Sequence, residues 1–127
     1  MSKTANLTIT ALPKEPFTRV NVLGTEYSVT FCQEDVEPRL TDCDGICDDT
    51  TKEILVETYA DSVGKPECKK DLSVQSRKVL RHEIVHAFLH ESGLAENSSW
   101  ALNEELVDWI AIQGPKIYKV WREADAL

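Results

Sequence analysis

His82 and His86 stand four residues apart with Glu83 beside the first of them, and further along the chain Glu104 and Asp108 repeat the same spacing. On a helix, residues at i and i+4 lie one above the other, so both imidazoles reach a common point and Glu83 can touch a water held there. That is the geometry of a zinc hydrolase. A catalytic zinc takes three protein ligands and keeps its fourth position for water, so two histidines on one helix need a third donor from another element. Glu104 is the donor of choice. Glu104 and Glu105 are adjacent and differ by about 100° around a helix axis, so only one of them faces the histidines. Glu104 shares its face with Asp108, which supplies both a ligand oxygen and an acceptor for a histidine ring N–H, whereas Glu105 shares its face with Trp109. The fold must therefore lay a second helix against the first.

At these residues the chain resembles the gluzincin metallopeptidases, in which a His-Glu-x-x-His helix is followed by a helix carrying Asn-Glu-x-x-x-Asp. Both halves are present, as HEIVH at 82–86 and NEELVD at 103–108. The resemblance implies one Zn2+ per chain held by His82, His86 and Glu104, with Asp108 buttressing a ligand histidine and Glu83 as catalytic base. It implies hydrolysis of peptide or amide bonds. A further Tyr or His stabilises the oxyanion in that family, and Tyr59 is the candidate here. The stretch HEIVHAFLHESGL, in so short a chain, looks most like the compact ImmA/IrrE-type and phage-encoded metallopeptidase-like proteins, which pair a short antiparallel sheet with the active-site helix. Their second helix is approximated by Glu104, Val107 and Asp108, with Val107 where alanine is usual. The likeness spans roughly 54–111 and implies a specific intracellular protein as substrate, since some such relatives cleave repressors.

A chain of 127 residues suits a single domain, 1–127, large enough to bury a core without staples. With 22 acidic against 14 basic residues its net charge is −8, which argues against nucleic acid as a partner because that affinity rests on Lys and Arg neutralising phosphates. No apolar run approaches the roughly 20 residues that cross a bilayer, and Met1–Asn6 lacks the basic and apolar regions of a signal peptide. A cytoplasmic protein away from membranes is expected. The spacing of Cys32, Cys43, Cys47 and Cys68 does not make the paired short intervals of a zinc finger, so reduced thiols are expected.

Taken in order, Leu7 to Leu12 alternates apolar and polar residues as a half-buried strand ended by Pro13, with Pro16 closing the turn. Residues 19–23 and 27–31 flank Gly24-Thr25-Glu26 and predict a β-hairpin. From Cys32 to Thr51 the composition is that of a loop. Residues 53–58 return to strand composition and are expected to form an exposed sheet edge beside the metal, where an extended peptide can add as a further strand. After a second polar connection holding Gly64 and Pro66, Asp71 or Ser73 caps a helix predicted to run to about Ser92 and close at Gly93. Val79, Val85 and Leu89 flank its histidine side, while Leu80, Ile84, Ala87 and Phe88 cover the opposite one, so it is predicted to be central and buried. Ser98 or Ser99 caps a second helix from Trp100 to Gln113, stopped by Gly114-Pro115, and Ile117, Val120, Trp121 and Ala124 predict a short terminal helix. The fold class is α+β: a short antiparallel sheet on a central histidine helix, a second ligand-bearing helix and a C-terminal helix, the layout of a minimal zincin.

Competing readings are weaker. Two histidines buried among carboxylates between apolar helices cost several kcal/mol unless paired or metal-bound, so a plain core helix does not account for them. His90 extends the series, but it lies about 12 Å from His82 along the axis, too far to share an ion held at about 2 Å, and is expected at the rim. A metzincin's third histidine would fall at Ser92. Asp42 to Asp48 imitates the start of a calcium loop, yet its fifth position is Ile46, which offers no side-chain oxygen. A zinc-stabilised interaction module with an idle hydrolytic site is the alternative to an active peptidase.

Overall fold

The computed structural model describes residues 17–33, 36–58 and 72–127. The strand expected at Leu7 to Leu12, its closing prolines, and Tyr59, Gly64, Pro66, Cys68 and Asp71 lie outside the described residues. Strands β1 (Thr18–Val22), β2 (Thr25–Cys32), β3 (Gly45–Asp48) and β4 (Glu53–Glu57) precede helices α1 (Leu72–Glu91), α2 (Leu94–Asn97) and α3 (Glu104–Glu123), so the α+β class holds. A single four-stranded sheet has the order β1-β2-β4-β3.

The first hairpin forms where composition placed it, with a tighter turn. Val22 pairs with Thr25, leaving Leu23 and Gly24 at φ 50 and 95, the two positive values that match strand twist in a two-residue turn. The Asn21 side chain accepts from the Gly24 N–H at 2.9 Å. Beyond it the sheet departs from expectation, because β2 and β4 are parallel and the sheet is mixed rather than antiparallel. Within the supposed loop the chain forms a 3-10 turn at Pro38–Leu40 and then β3, which folds back antiparallel onto the far side of β4. Asp48 closes that second hairpin by accepting from the N–H groups of Thr50 and Thr51 at 3.0 and 3.3 Å.

Consequently β4 is central, paired on both sides, and not the exposed edge expected of it. Its three consecutive aliphatics face two apolar layers. Ile54 and Val56 join Val22, Tyr27, Val29, Val79 and Ala87 against α1, while Leu55 joins Cys32 and Leu40 beneath the 3-10 turn. Each is fully buried, a contribution of about 1.5–3 kcal/mol apiece. Among the described residues the edge strand on the α1 side is β3, which pairs only with β4.

Helix α1 ends where expected, with Gly93 at φ 84 accepting the left-handed turn. It is two-faced. Val79, Leu80, Ile84 and Ala87 pack on the sheet, and Val85 and Leu89 pack with Ala95, Ala101 and Val107 on the other side. Phe88, expected to be covered, is 42% exposed. At the C-terminal end Glu91 ties the helix to the sheet, accepting from Thr25, Tyr27 and Lys52 at 2.9, 2.6 and 2.6 Å.

Helix α3 corrects two expectations. It starts at Glu104, not Trp100, because Asn103 caps it by accepting from Leu106 N–H at 2.8 Å, with Glu104 and Glu105 favourably placed in the first turn. Ser99–Leu102 form a 3-10 turn instead. The helix also runs on through Gly114-Pro115 to Glu123, so no separate C-terminal helix exists. Pro115 cannot bond the carbonyl of Ala111, but Arg81 Nε donates to that oxygen at 2.6 Å, which removes the usual objection to an internal proline.

Two predictions concern stability. A Cβ at Gly45 would lie 2.7 Å from Val79 Cγ1 and 3.1 Å from Glu83 Cγ, and a valine has little freedom to yield. Gly45→Ala is expected to lower stability by about 1–3 kcal/mol through overpacking; an unchanged urea midpoint would show that β3 is not pinned on α1. The Glu91 carboxyl is lowered from 4.5 to about 2, first by the Lys52 bond and then by Tyr27 and Thr25. Its stabilisation is present above pH 4.5 and lost as pH falls through about 2. Urea titrations across that window should show a smaller acid loss for Glu91→Gln than for wild type, and parallel losses would remove Glu91 from the account.

Candidate active site

The two helices bring the expected residues together. His82 Nε2 and His86 Nε2 each lie 2.9 Å from the same oxygen, Oε1 of Glu104. The imidazole centroids are 4.9 Å apart with ring planes at 66°, as one-turn spacing dictates. Ligand atoms of His82, His86 and Glu104 all fall within 4.8 Å of one another, a group that can hold a metal ion. Asp108 Oδ1 is 3.2 Å from His82 Nδ1, so the ring nitrogen turned away from Glu104 is also met. Glu105 is exposed and outside this group, in keeping with its helical phase.

Glu83 points the other way, toward β3, where its side chain meets Gly45. It is 8% exposed, and no side chain among the described residues hydrogen-bonds its carboxylate. Such a group invites a ligand or water partner. A cleft of about 280 Å³ opens here, walled by Cys43, Asp44 and Gly45 on one side and by His82, Glu83, Glu104 and Asp108 on the other.

Over residues 1–126 the sequence matches the pattern of the BSP family, described as peptidase of plants and bacteria. The chain belongs to that family. No curated protein and no solved structure gives a significant match. Membership places the chain in a peptidase family, for which a protein or peptide is the implied substrate.

Two of the four carboxylates that line the cleft, Glu83 and Glu104, are driven apart in acidity. Burial pushes Glu83 up to about 7, with His82 opposing and Glu104 assisting. Desolvation also acts to raise Glu104, but hydrogen bonds and charge from His86 and then His82 prevail and hold it below the ordinary carboxylate value. Opposed shifts of this kind separate a proton carrier from a group that stays ionised.

Sequence reasoning missed three neighbours. Lys78, one turn before His82, lines the cleft with its Nζ 3.8 Å from Asp108 Oδ1. The i, i+4 spacing from His82 was its signal. Asp44 and Gly45 were assigned to a loop, and a strand of four residues carries too little periodicity to correct that. His90 lies outside the metal-capable group, 3.9 Å from Asp49. Of the cysteines, Cys43 lines the cleft and donates to Arg39 O at 3.2 Å, and burial raises the Cys47 thiol to about 12. No disulfide joins Cys32, Cys43 and Cys47 to one another. No described helix is long and apolar enough to cross a membrane.

The weakened acidity of Glu83 has a measurable consequence in metal-free protein. Because its folded value lies above the unfolded 4.5, its stabilising contribution is present below pH 4.5 and is lost as pH rises through about 7. Glu83→Gln is therefore expected to gain stability over wild type at pH 8 and little at pH 5, as read by urea denaturation after chelation. Equal differences at both pH values would contradict the burial argument.

Proposed function

We propose that this chain is a zinc-dependent peptidase of gluzincin type, with His82, His86 and Glu104 as ligands and Glu83 as catalytic base. The observation that carries the reading is the convergence of both Nε2 atoms on one Glu104 oxygen at 2.9 Å, with the buried Glu83 carboxylate alongside, which no side chain among the described residues hydrogen-bonds. Two imidazoles and a carboxylate are a recurrent donor set of catalytic zinc, so the residues fit the ion. When bound, zinc supplies Lewis acidity that polarises a scissile carbonyl and lowers the pKa of a water. The chain supplies the rest. Glu83 would take the proton of the attacking water and later pass it to the leaving amine, a role suited to a carboxylate that lines the cleft beside the three ligands. Asp108 accepts from His82 Nδ1–H and fixes the tautomer that leaves Nε2 free to coordinate.

The peptide rail moves from β4 to β3. Glu57 N–H donates to Asp44 O at 2.9 Å, which makes Asp44 and Glu57 a hydrogen-bonded pair. By alternation along an antiparallel ladder, Ile46 and Asp48 then point their backbone groups at β4, while Gly45 and Cys47 turn theirs outward. An extended substrate can add there, and Gly45 borders the cleft. Pairing of β4 on both sides removes the groove first expected, an outcome that favours the idle module; β3, which among the described residues pairs only with β4, offers another sheet edge beside the metal-capable group and supports the active reading. The likeness to ImmA/IrrE-type proteins extends the proposal to a specific cytoplasmic protein substrate.

Purified protein is expected to bind about one zinc per chain, measured by elemental analysis. Glu83→Gln should keep the metal and lose turnover on cellular proteins compared by proteomics, because an amide cannot accept the proton. In competitive titrations Glu104→Ala should abolish tight binding, Asp108→Ala weaken it roughly 10–100-fold, and Glu105→Ala leave it intact. A metal-free preparation that melts identically with and without chelator would overturn the proposal, and a loss confined to Glu105→Ala would invert the ligand assignment.

A further inference from the structure

Ala111 is 1% exposed, and its carbonyl would normally bond the N–H four residues later on α3. That residue is Pro115, which has none. A buried carbonyl without a partner is costly, and here the partner comes from the other helix: Arg81 Nε donates at 2.6 Å. Arg81 immediately precedes ligand His82, and Ala111 lies three residues past Asp108 on the helix that starts with Glu104. The bond thus joins the two ligand-bearing helices through a carbonyl that only an internal proline leaves without its helical partner.

We propose that Arg81, with Pro115, is a positioning device that fixes the register of α1 against α3 and so the placement of His82 and His86 relative to Glu104. The proposal rests on the reading of those three residues as metal ligands. Apart from the hydrogen bonds made by the site's own His82, His86, Glu104 and Asp108, whose placement is what has to be fixed, the other contacts across this seam are poorly suited to setting register. Val85 packs near Val107 through apolar contact, which has no direction. Lys78 approaches Asp108 only to 3.8 Å at a site 40% exposed, where an ion pair contributes little. A short hydrogen bond from a planar guanidinium to a fixed backbone oxygen is directional. Zinc demands that direction, because ligand distances must fall within about 0.2 Å of their ideal values.

The test compares wild type, Arg81→Met, Pro115→Ala and the double variant, with zinc affinity read by chelator competition and metal-free stability read by urea. Arg81→Met removes the donor and is expected to weaken zinc binding about 10-fold or more, the scale of losses from residues that orient ligands. Pro115→Ala restores an N–H for the Ala111 carbonyl. In the double variant it should recover metal-free stability, since the buried acceptor is again paired, while zinc affinity stays weakened because the tie between helices is still missing. Full recovery of zinc affinity in the double variant would show that Arg81 merely satisfies a carbonyl. Wild-type zinc affinity in Arg81→Met would equally overturn the proposal. Glu104→Ala separates the two levels: if it also binds zinc normally, the ligand assignment fails, whereas if it loses zinc and Arg81→Met does not, only the positioning role fails. Should Arg81→Met not fold, Arg81→Lys keeps the charge but not the fork geometry, and the same loss is expected and the same wild-type affinity decisive.

Discussion

One carboxylate oxygen of Glu104 sits 2.9 Å from two imidazole nitrogens, and neither helix can supply both sides of that contact. A helix that offers two histidines to a neighbour must still bury enough apolar surface to stay in place. Helix α1 meets both demands by dividing its circumference. Val79, Leu80, Ile84 and Ala87 bind it to the sheet, while Val85 and Leu89 secure the opposite side, so apolar clusters flank the polar seam. Groups that would each cost several kcal/mol if buried alone are there paired with one another.

How much of this was legible follows from the range of each interaction. The i, i+4 spacing of His82 and His86, and of Glu104 and Asp108, is set by helix geometry within a few residues, and the structure brings all four side chains together. Gly93 and the Leu23-Gly24 turn are equally local. Sheet order is not, since β4 lies parallel beside β2 with β3, which precedes it in the chain, folded antiparallel along its far side. One clue was nonetheless in the sequence: a half-exposed edge alternates apolar and polar residues, and Ile54-Leu55-Val56 does not, because each face of β4 meets its own apolar layer.

Pro115 shows the converse. The rule that Gly-Pro ends a helix rests on a lost N–H, and at this point of α3 the loss is offset by Arg81, 30 residues away in sequence. No window along the chain contains both. Ser98 and Ser99 misled in a smaller way, since Asn103 caps α3 just ahead of two acidic residues, and among competing caps the one backed by first-turn carboxylates prevails.

The same division of α1 separates the chemistry of its carboxylates. Glu83 is one residue from His82 and therefore about 100° around the axis, which turns it out of the seam and toward the sheet. There it is buried and its acidity falls, whereas Glu104, with its side chain 71% exposed, is held ionised by two imidazoles. Gly45 is what allows the sheet to come so close, for any Cβ would collide with Val79 and press on Glu83. The absent side chain leaves the Gly45 backbone bordering the cleft on an edge strand that pairs, among the described residues, only with β4. In the proposed reaction a base has to lie between the metal ligands and the peptide it serves. Placing it on the sheet-facing side of the histidine helix, against a glycine of the edge strand, satisfies that requirement with one residue of helical offset.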